Sequence, residues 1–469
     1  MNRRKTHAAV FALLIFCMTY EHQRRFDAPT PVSRLDLLHS ICFLGTLRIN
    51  SYHENTPDKA VFRNNYYSDK APGTVILALP GFAVSVVILS VAGVDLNSIP
   101  SWLFSSWGAC ASSVALISAL AGAAASAWLS RYVPTRCALV TTLALYLGAA
   151  PLPYATMMFS HALVVGLVAI SIWAIQMECG PASGQRGVGR WLKANRWDVL
   201  AGHACGWALA SEYSAGLVVG GLFLWLVSKG WQRAIPFCLA AIPPLLLIPT
   251  YNWSCFGDPF ILPYSQQASF PAMREGLYAI KWPDAETGFN LLFSPARGLL
   301  FWTPFFMMAG FGFWDLIHKS QSLFWLTYAV PLLQVVIISG RVWDWPAGAA
   351  WGPRLLSPMI PLLALPCAFG VRRFPKLGTV LAAYSILITT VATLTDACPS
   401  FPEHPSPLFD LNIPLFLKGE FSPNLGIVLG LPPYVSVALF YAILIGGVWW
   451  IWRQLPKEVE PLKLSNHRS

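Results

Sequence analysis

Residues 50–73 read NSYHENTPDKAVFRNNYYSDKAPG and are the densest group of chemically capable side chains in the chain. Glu54, Asp58 and Asp69 lie among Lys59, Arg63 and Lys70, with the pair Tyr66 and Tyr67 between them. Apolar runs flank the segment on both sides. A loop that merely joined two spans would be short and would need none of this charge. Carboxylates, cations and tyrosines held in an early loop between spans point to chemistry at a membrane surface.

Composition sets the class within which that loop works. Hydrophobic residues make up 55% of the 469 residues and charged residues only 12%. A soluble domain carries about 25% charged residues. Apolar runs recur near 8–20, 73–94, 103–129, 137–151, 159–177, 198–228, 234–251, 298–317, 323–339, 354–371, 377–395 and 425–452. A span takes about 20 apolar residues. The run 198–228 is long enough for two short spans with a break at Glu212. The expectation is an all-α polytopic membrane protein with about 11–13 transmembrane helices. No P-loop, Rossmann glycine pattern or HExxH sequence occurs, and no CxxC spacing.

The formal net charge of +10 is read as cations gathered on cytoplasmic loops, with no nucleic-acid partner. Arg186, Arg190, Lys193 and Arg196 form one such loop. Lys229 with Arg233, His318 with Lys319, and Arg372, Arg373 and Lys376 form others, and the tail from Arg453 to Arg468 is basic too. This leaves 252–297, 341–353 and 396–424 outside. Arg3, Arg4 and Lys5 place the start of the first run inside, so 21–72 is also outside. One crossing for each run between 73 and 177 would put 178–197 on the wrong side. An extra segment is therefore expected within 73–129, or a break such as Pro80-Gly81. The organisation expected is a signal anchor over 1–20, a first outer loop over 21–72, a helix bundle over 73–452 and a cytoplasmic tail over 453–469. The ten cysteines lie mostly singly in apolar runs and act as small hydrophobes. A disulfide among Cys42, Cys255 and Cys398 is conceivable but has no support in the spacing.

Within the first outer loop, PVSRLDLLHSICFL (31–44) sets Leu35, Leu38 and Cys42 on one helical face, with Arg34, Asp36 and His39 on the polar side. This suits a short helix lying in the membrane interface. Pro31 fits its first turn and Gly45 its end. Together with YYSDKAPG (66–73), FSHALVVG (159–166), SPARGLLFWTP (294–304) and WGPRLLSPMIPLLALP (351–366), this arrangement resembles the GT-C superfamily of membrane glycosyltransferases. It is most similar to the bacterial branch of protein mannosyltransferases and the aminoarabinose transferase of lipid A. Lys70 falls on the lysine of the family's Lys-Pro motif. The resemblance covers roughly residues 1–400. It departs from the family at two acids: the usual Asp before the helix Arg is Pro31 here, and a second expected carboxylate falls at His161.

The resemblance implies a GT-C-like helix bundle with a long first outer loop, in the bacterial cytoplasmic membrane, with its active site on the outer side. It implies transfer of a sugar from a polyprenyl-phosphate donor to a glycan, lipid or protein acceptor. That reaction needs a carboxylate to take the acceptor proton, cations or a divalent metal to hold charge on the leaving phosphate, and an apolar groove open to membrane lipid. Asp58 and Asp69 are the leading carboxylates, with Asp27 and Asp36 behind them. Lys70, Arg34, Arg354 and Arg297 are the candidate phosphate holders. His161 and Tyr264 are candidates for the acceptor or the cavity wall. No metal ligand set stands out, and no cofactor beyond a divalent cation is expected. Two rival readings are a transporter or flippase of a lipid-linked intermediate, against which the absence of an internal repeat counts, and a non-catalytic GT-C relative, which the missing acid at Pro31 favours.

Overall fold

The apolar runs form helices throughout the computed structural model, which describes residues 3–21, 28–177, 188–275 and 280–455. Among these residues, seven helices are long and apolar enough to cross a membrane: Gly73–Val91, Ile99–Leu129, Trp231–Phe256, Gln321–Ser339, Arg354–Arg373, Pro375–Leu394 and Pro433–Gln454. Three shorter apolar helices, Thr135–Leu147, Ser160–Ile175 and Tyr213–Ser228, complete the apolar set. Helices Arg3–Tyr20 and Arg196–Ser211 pack among them. The chain is an integral, multi-pass, predominantly helical membrane protein. In such a bundle the backbone bonds within each helix satisfy its polar groups, which lipid cannot do.

Pro80 does not split its run. Helix Gly73–Val91 continues through it. Helix Ile99–Leu129 also continues, through a π-turn at Ala111–Ala115. Neither the extra segment nor the break expected within 73–129 is seen; a short helix, Pro151–Ala155, lies further along, between Thr135–Leu147 and Ser160–Ile175. Small residues let helices approach closely. A Cβ on Gly202 would lie 1.9 Å from the Phe237 carbonyl oxygen, and one on Gly206 would lie 2.6 Å from that of Ala241. Helix Arg196–Ser211 therefore rests directly on the backbone of Ala234–Leu245.

The helix in the first loop runs Pro29–Leu44 and stops at Gly45, which takes the left-handed conformation (φ 61°). Its setting differs from a helix with one face in water. Residues 30–40 are all buried. Arg34, Asp36 and His39 point into protein: Arg34 reaches Met158 and Ser160, Asp36 meets Asn55, and His39 stacks on Trp102 at 3.4 Å between ring centroids. Only the C-terminal turn, Cys42–Leu44, is exposed.

The rest of the loop holds a hairpin that no strong local signal in the sequence announces. Strands β1 (Lys59–Phe62) and β2 (Asn65–Ser68) form an antiparallel hairpin in which Lys59 pairs with Ser68. Arg63 and Asn64 turn the corner with φ of 47° and 60°, the positive values that a two-residue type I′ turn requires. Ala60 forms a further bridge to Gln267 in the 252–297 segment. Cys42 and Cys255 are free thiols, and the Cys398 thiol contacts Met157 Sδ at 3.8 Å.

Candidate active site

The hairpin explains why two acids eleven positions apart meet. Asp58 immediately precedes β1 and Asp69 immediately follows β2, so the Lys59–Ser68 pairing brings them side by side. Lys70 Nζ lies 2.8 Å from Asp58 Oδ2 and 3.1 Å from Asp69 Oδ2. All three side chains are buried. Thr30, from the first turn of helix Pro29–Leu44, donates to Asp58 Oδ2 at 2.7 Å. Gln267 Nε2 donates to Asp69 Oδ2 at 3.3 Å and to the Pro57 carbonyl at 3.2 Å. The second oxygen of Asp69 is buried without a partner.

Electrostatics separates the two acids. Burial works against ionisation of Asp58, but Lys70, Thr30 and Arg354 outweigh it and hold the carboxyl below its ordinary value. Burial dominates at Asp69 and pushes it up to about 6, against the pull of Lys70. Asp58 is thus the carboxylate that stays ionised, and Asp69 the one close to its proton. For Lys70 burial opposes the charge, but its two acids raise the ammonium above its usual value and keep it protonated.

Lys70 faces a cavity of about 410 Å³. Arg34, His161, Tyr264 and Arg354 line the same cavity, with Thr30 and Glu212. Apolar walls come from Leu217, Ile280, Ile337, Ile338 and Leu355. The Lys70 ammonium lies 5.3 Å from the centre of the Tyr264 ring. Burial pushes the Tyr264 phenol up to about 12. Arg34 donates to the Met158 carbonyl and to Ser160 Oγ at 3.1 and 3.0 Å. Ser160 Oγ in turn donates to Glu212 Oε2 at 2.7 Å. Arg341 also lines the cavity, paired with Asp344 at 2.9 Å. Arg354 differs from these cations. Its side chain has no ion pair or hydrogen bond among the described residues, and its guanidinium lies 5.7 Å from the Phe159 ring centre.

Two local packings position this set. A Cβ on Gly73 would fall 2.6 Å from the carbonyl of Ala210 and 2.7 Å from Ser211 Oγ. The Lys70–Gly73 turn can therefore press against the end of helix Arg196–Ser211, where Glu212 is extended (φ −158°, ψ 117°). Gln334 Nε2 then bridges the Ser214 and Leu355 carbonyls at 3.3 and 3.2 Å, tying the Glu212 break to the segment that carries Arg354.

Of the residues singled out by sequence, Arg34, Lys70, His161, Tyr264 and Arg354 meet in this cavity, with Asp58 and Asp69 directly behind Lys70. Two others lie elsewhere. Asp36 accepts from Asn55 at 3.0 Å, and burial raises it to about 7. Arg297 is fully buried and donates to the carbonyls of Ala296, Pro346, Gly348 and Pro399, so it clamps loops together. Asp27 lies outside the described residues. Thr30, Gln267 and Arg341 carried no signal in the sequence. Glu212 did, because an ionisable group in the middle of an apolar run marks a cavity or a partner; sequence reading took it for a break between spans, and it is that as well. Among the described residues no group of three or more His, Cys, Asp or Glu side chains is arranged to hold a metal.

A comparison with solved structures places this arrangement. The chain superposes on ArnT from Cupriavidus metallidurans bound to undecaprenyl phosphate, with a TM-score of 0.51 and 16% identity, covering 95% of this chain and 76% of that one. The chain has the fold of ArnT. A structure of the same ArnT in the apo state gives a TM-score of 0.46, again at 16% identity, covering 95% of this chain and 75% of that one. The polytopic helix bundle expected from the sequence is thus the fold observed. No protein-family model matches the chain, and no curated protein sequence matches it.

Proposed function

We propose that the chain is an integral membrane glycosyltransferase that moves a sugar from a polyprenyl-phosphate donor to an acceptor at the outer face of the bacterial cytoplasmic membrane. The ArnT fold and the undecaprenyl phosphate bound to that ArnT support the donor class. The observation that carries the reading is Arg354: a guanidinium with no ion pair among the described residues, lining the same hollow as Lys70 and an apolar wall. A guanidinium left open in this way suits a phosphate, which it can hold bidentately. Lys70 has three N–H donors. Two go to Asp58 and Asp69, and the third is left for the phosphate. The apolar wall takes the first prenyl units.

The reaction breaks the bond between the anomeric carbon and the phosphate oxygen. The acceptor hydroxyl oxygen forms the new bond from the opposite side, so the anomeric configuration inverts. Its proton passes to a carboxylate, and the polyprenyl phosphate leaves with the bonding pair. Asp58 is the proton acceptor assigned here. It is ionised at neutral pH, and its Oδ1 makes no hydrogen bond among the described residues, while Oδ2 is held by Thr30 and Lys70. Asp69 and Gln267 fix Lys70 from behind. Arg354 and Lys70 meet the charge that grows on the leaving phosphate, where preorganised charge has its largest effect on rate.

The experiment is reconstitution with a radiolabelled polyprenyl-phosphate sugar and a cell-envelope acceptor fraction. Release of free polyprenyl phosphate that depends on the acceptor supports transfer. Movement of the intact labelled lipid across the bilayer without cleavage refutes it in favour of a flippase. Neither cleavage nor movement leaves a non-catalytic relative.

A further inference from the structure

The cavity has a second polar face that phosphate binding and proton transfer leave unused. Glu212 occupies the break between helices Arg196–Ser211 and Gly216–Ser228. One oxygen, Oε2, is taken by Ser160. The other, Oε1, makes no hydrogen bond among the described residues, and Glu212 lines the cavity. His161 and Ser214 line it too, and neither His161 Nδ1 nor Ser214 Oγ has a partner among the described residues. Buried polar groups in folded proteins are nearly always satisfied. A cavity-lining carboxylate oxygen with no hydrogen bond, and two unsatisfied polar atoms on neighbouring lining residues, therefore point to a polar ligand. Tyr213 and Tyr264, whose ring centres lie 6.3 Å apart at 75°, stand at the same wall. A free carboxylate oxygen, an imidazole, a hydroxyl and two aromatic rings make a surface for a ring with hydroxyls at its edge and C–H groups on its face.

We propose that Glu212, with His161 and Ser214, is the edge of the donor site that reads the sugar, accepting hydrogen bonds from adjacent hydroxyls of the glycosyl group. This rests on the donor reading above, in which the phosphate lies at Arg354 and Lys70 of the same cavity. The glycosyl ring is bonded to that phosphate, so it must occupy the space next to it. The Gly73 contact with Ala210 and Ser211 sets the lysine turn against the Glu212 break, which makes the two halves of the donor site neighbours. A carboxylate accepts hydrogen bonds and donates none, so the edge prefers ring positions carrying O–H groups over positions that lack them.

The test uses the full-length protein in nanodiscs and three probes: undecaprenyl phosphate, and undecaprenyl phosphate carrying glucose or mannose. Glu212→Gln should weaken binding of at least one glycosylated lipid about tenfold, since charge-assisted hydrogen bonds are roughly twice as strong as neutral ones. Binding of bare undecaprenyl phosphate should change less than about twofold on the same scale. Ser214→Ala, a smaller change to the same face, should act in the same direction. Arg354→Ala should weaken all three lipids. Equal weakening of all three lipids by Glu212→Gln, or no weakening of any, overturns the sugar-reading edge while leaving the donor reading in place. Failure of the unaltered protein to bind any of the three saturably overturns both.

Discussion

Replacing Lys70 with Met removes the cation that buried Asp58 and Asp69 share. The ammonium lies 2.8 and 3.1 Å from Asp58 and Asp69, whose side chains are 11% and 0% exposed. Breaking a buried ion pair by removing one partner costs about 3–5 kcal/mol, because the other charge is left uncompensated. Here two charges are stranded, so the variant should sit at the upper end of that range near neutral pH. The loss should depend on pH in a definite direction. Without Lys70 the folded-state pKa values of both acids rise above their unfolded values of about 4. The penalty is then absent below about pH 4 and develops as pH rises through the raised values. Lys70→Met should therefore unfold far more readily than the parent at pH 8 and only slightly more readily at pH 5, measured by thermal or denaturant unfolding in detergent. Adding Asp58→Asn and Asp69→Asn should return most of the stability at pH 8 without returning sugar transfer. An equal loss at both pH values, or no rescue by the two Asn substitutions, would refute the claim that Lys70 exists to balance these acids.

Other expectations follow from the same cluster. Asp69 lies at about 6, above its unfolded value, so its protonated form adds stability that is fully present below about pH 4 and is lost as pH rises through 6; Asp69→Asn should flatten that dependence and be at least as stable as the parent at pH 8. Asp58→Asn should slow transfer by about 10²–10⁴-fold, the usual contribution of a general base, while the Kd for undecaprenyl phosphate changes little; a rate within threefold of the parent removes Asp58 from the mechanism. Asp198, fully buried, accepts from Arg233 Nε at 3.0 Å on both oxygens; Asp198→Ala should cost about 3–5 kcal/mol of stability yet leave lipid binding per folded molecule unchanged, which separates damage to helix Arg196–Ser211 from damage to the cavity.

The fold was readable because the bilayer imposes one strong rule: apolar runs of sufficient length become helices. The loop helix was readable from Pro31, the amphipathic spacing and Gly45, since those signals are local. Its burial was not, because what covers Arg34, Asp36 and His39 comes from residues more than a hundred positions away, such as Met158 and Ser160, as well as from nearby chain. The Asp58–Lys70–Asp69 cluster was half legible. The charges were visible, but the hairpin that joins them turns on Arg63-Asn64, a weaker signal than the Asn-Gly or Asp-Gly that marks such turns. Arg297 misled for a related reason. A buried arginine beside glycine looks like an anion holder, yet four backbone carbonyls from three segments take its donors, and no local pattern announces such a clamp. Glu212 was the clearest signal given too little weight: a break between spans leaves backbone and side chain free to line a cavity, so the two readings were never alternatives.

The central claim is that a lipid phosphate docks between Arg354 and Lys70. Equilibrium binding of undecaprenyl phosphate to the full-length protein and to Arg354→Ala tests this most directly. Hydrogen bonds to charged groups contribute about 1.5–3 kcal/mol each, so the variant should bind about 10–150-fold more weakly. Its unfolding should be nearly unchanged, since Arg354 has no ion pair to lose among the described residues. Saturable binding that is identical in the two proteins would contradict the account, because the phosphate would then lie somewhere else.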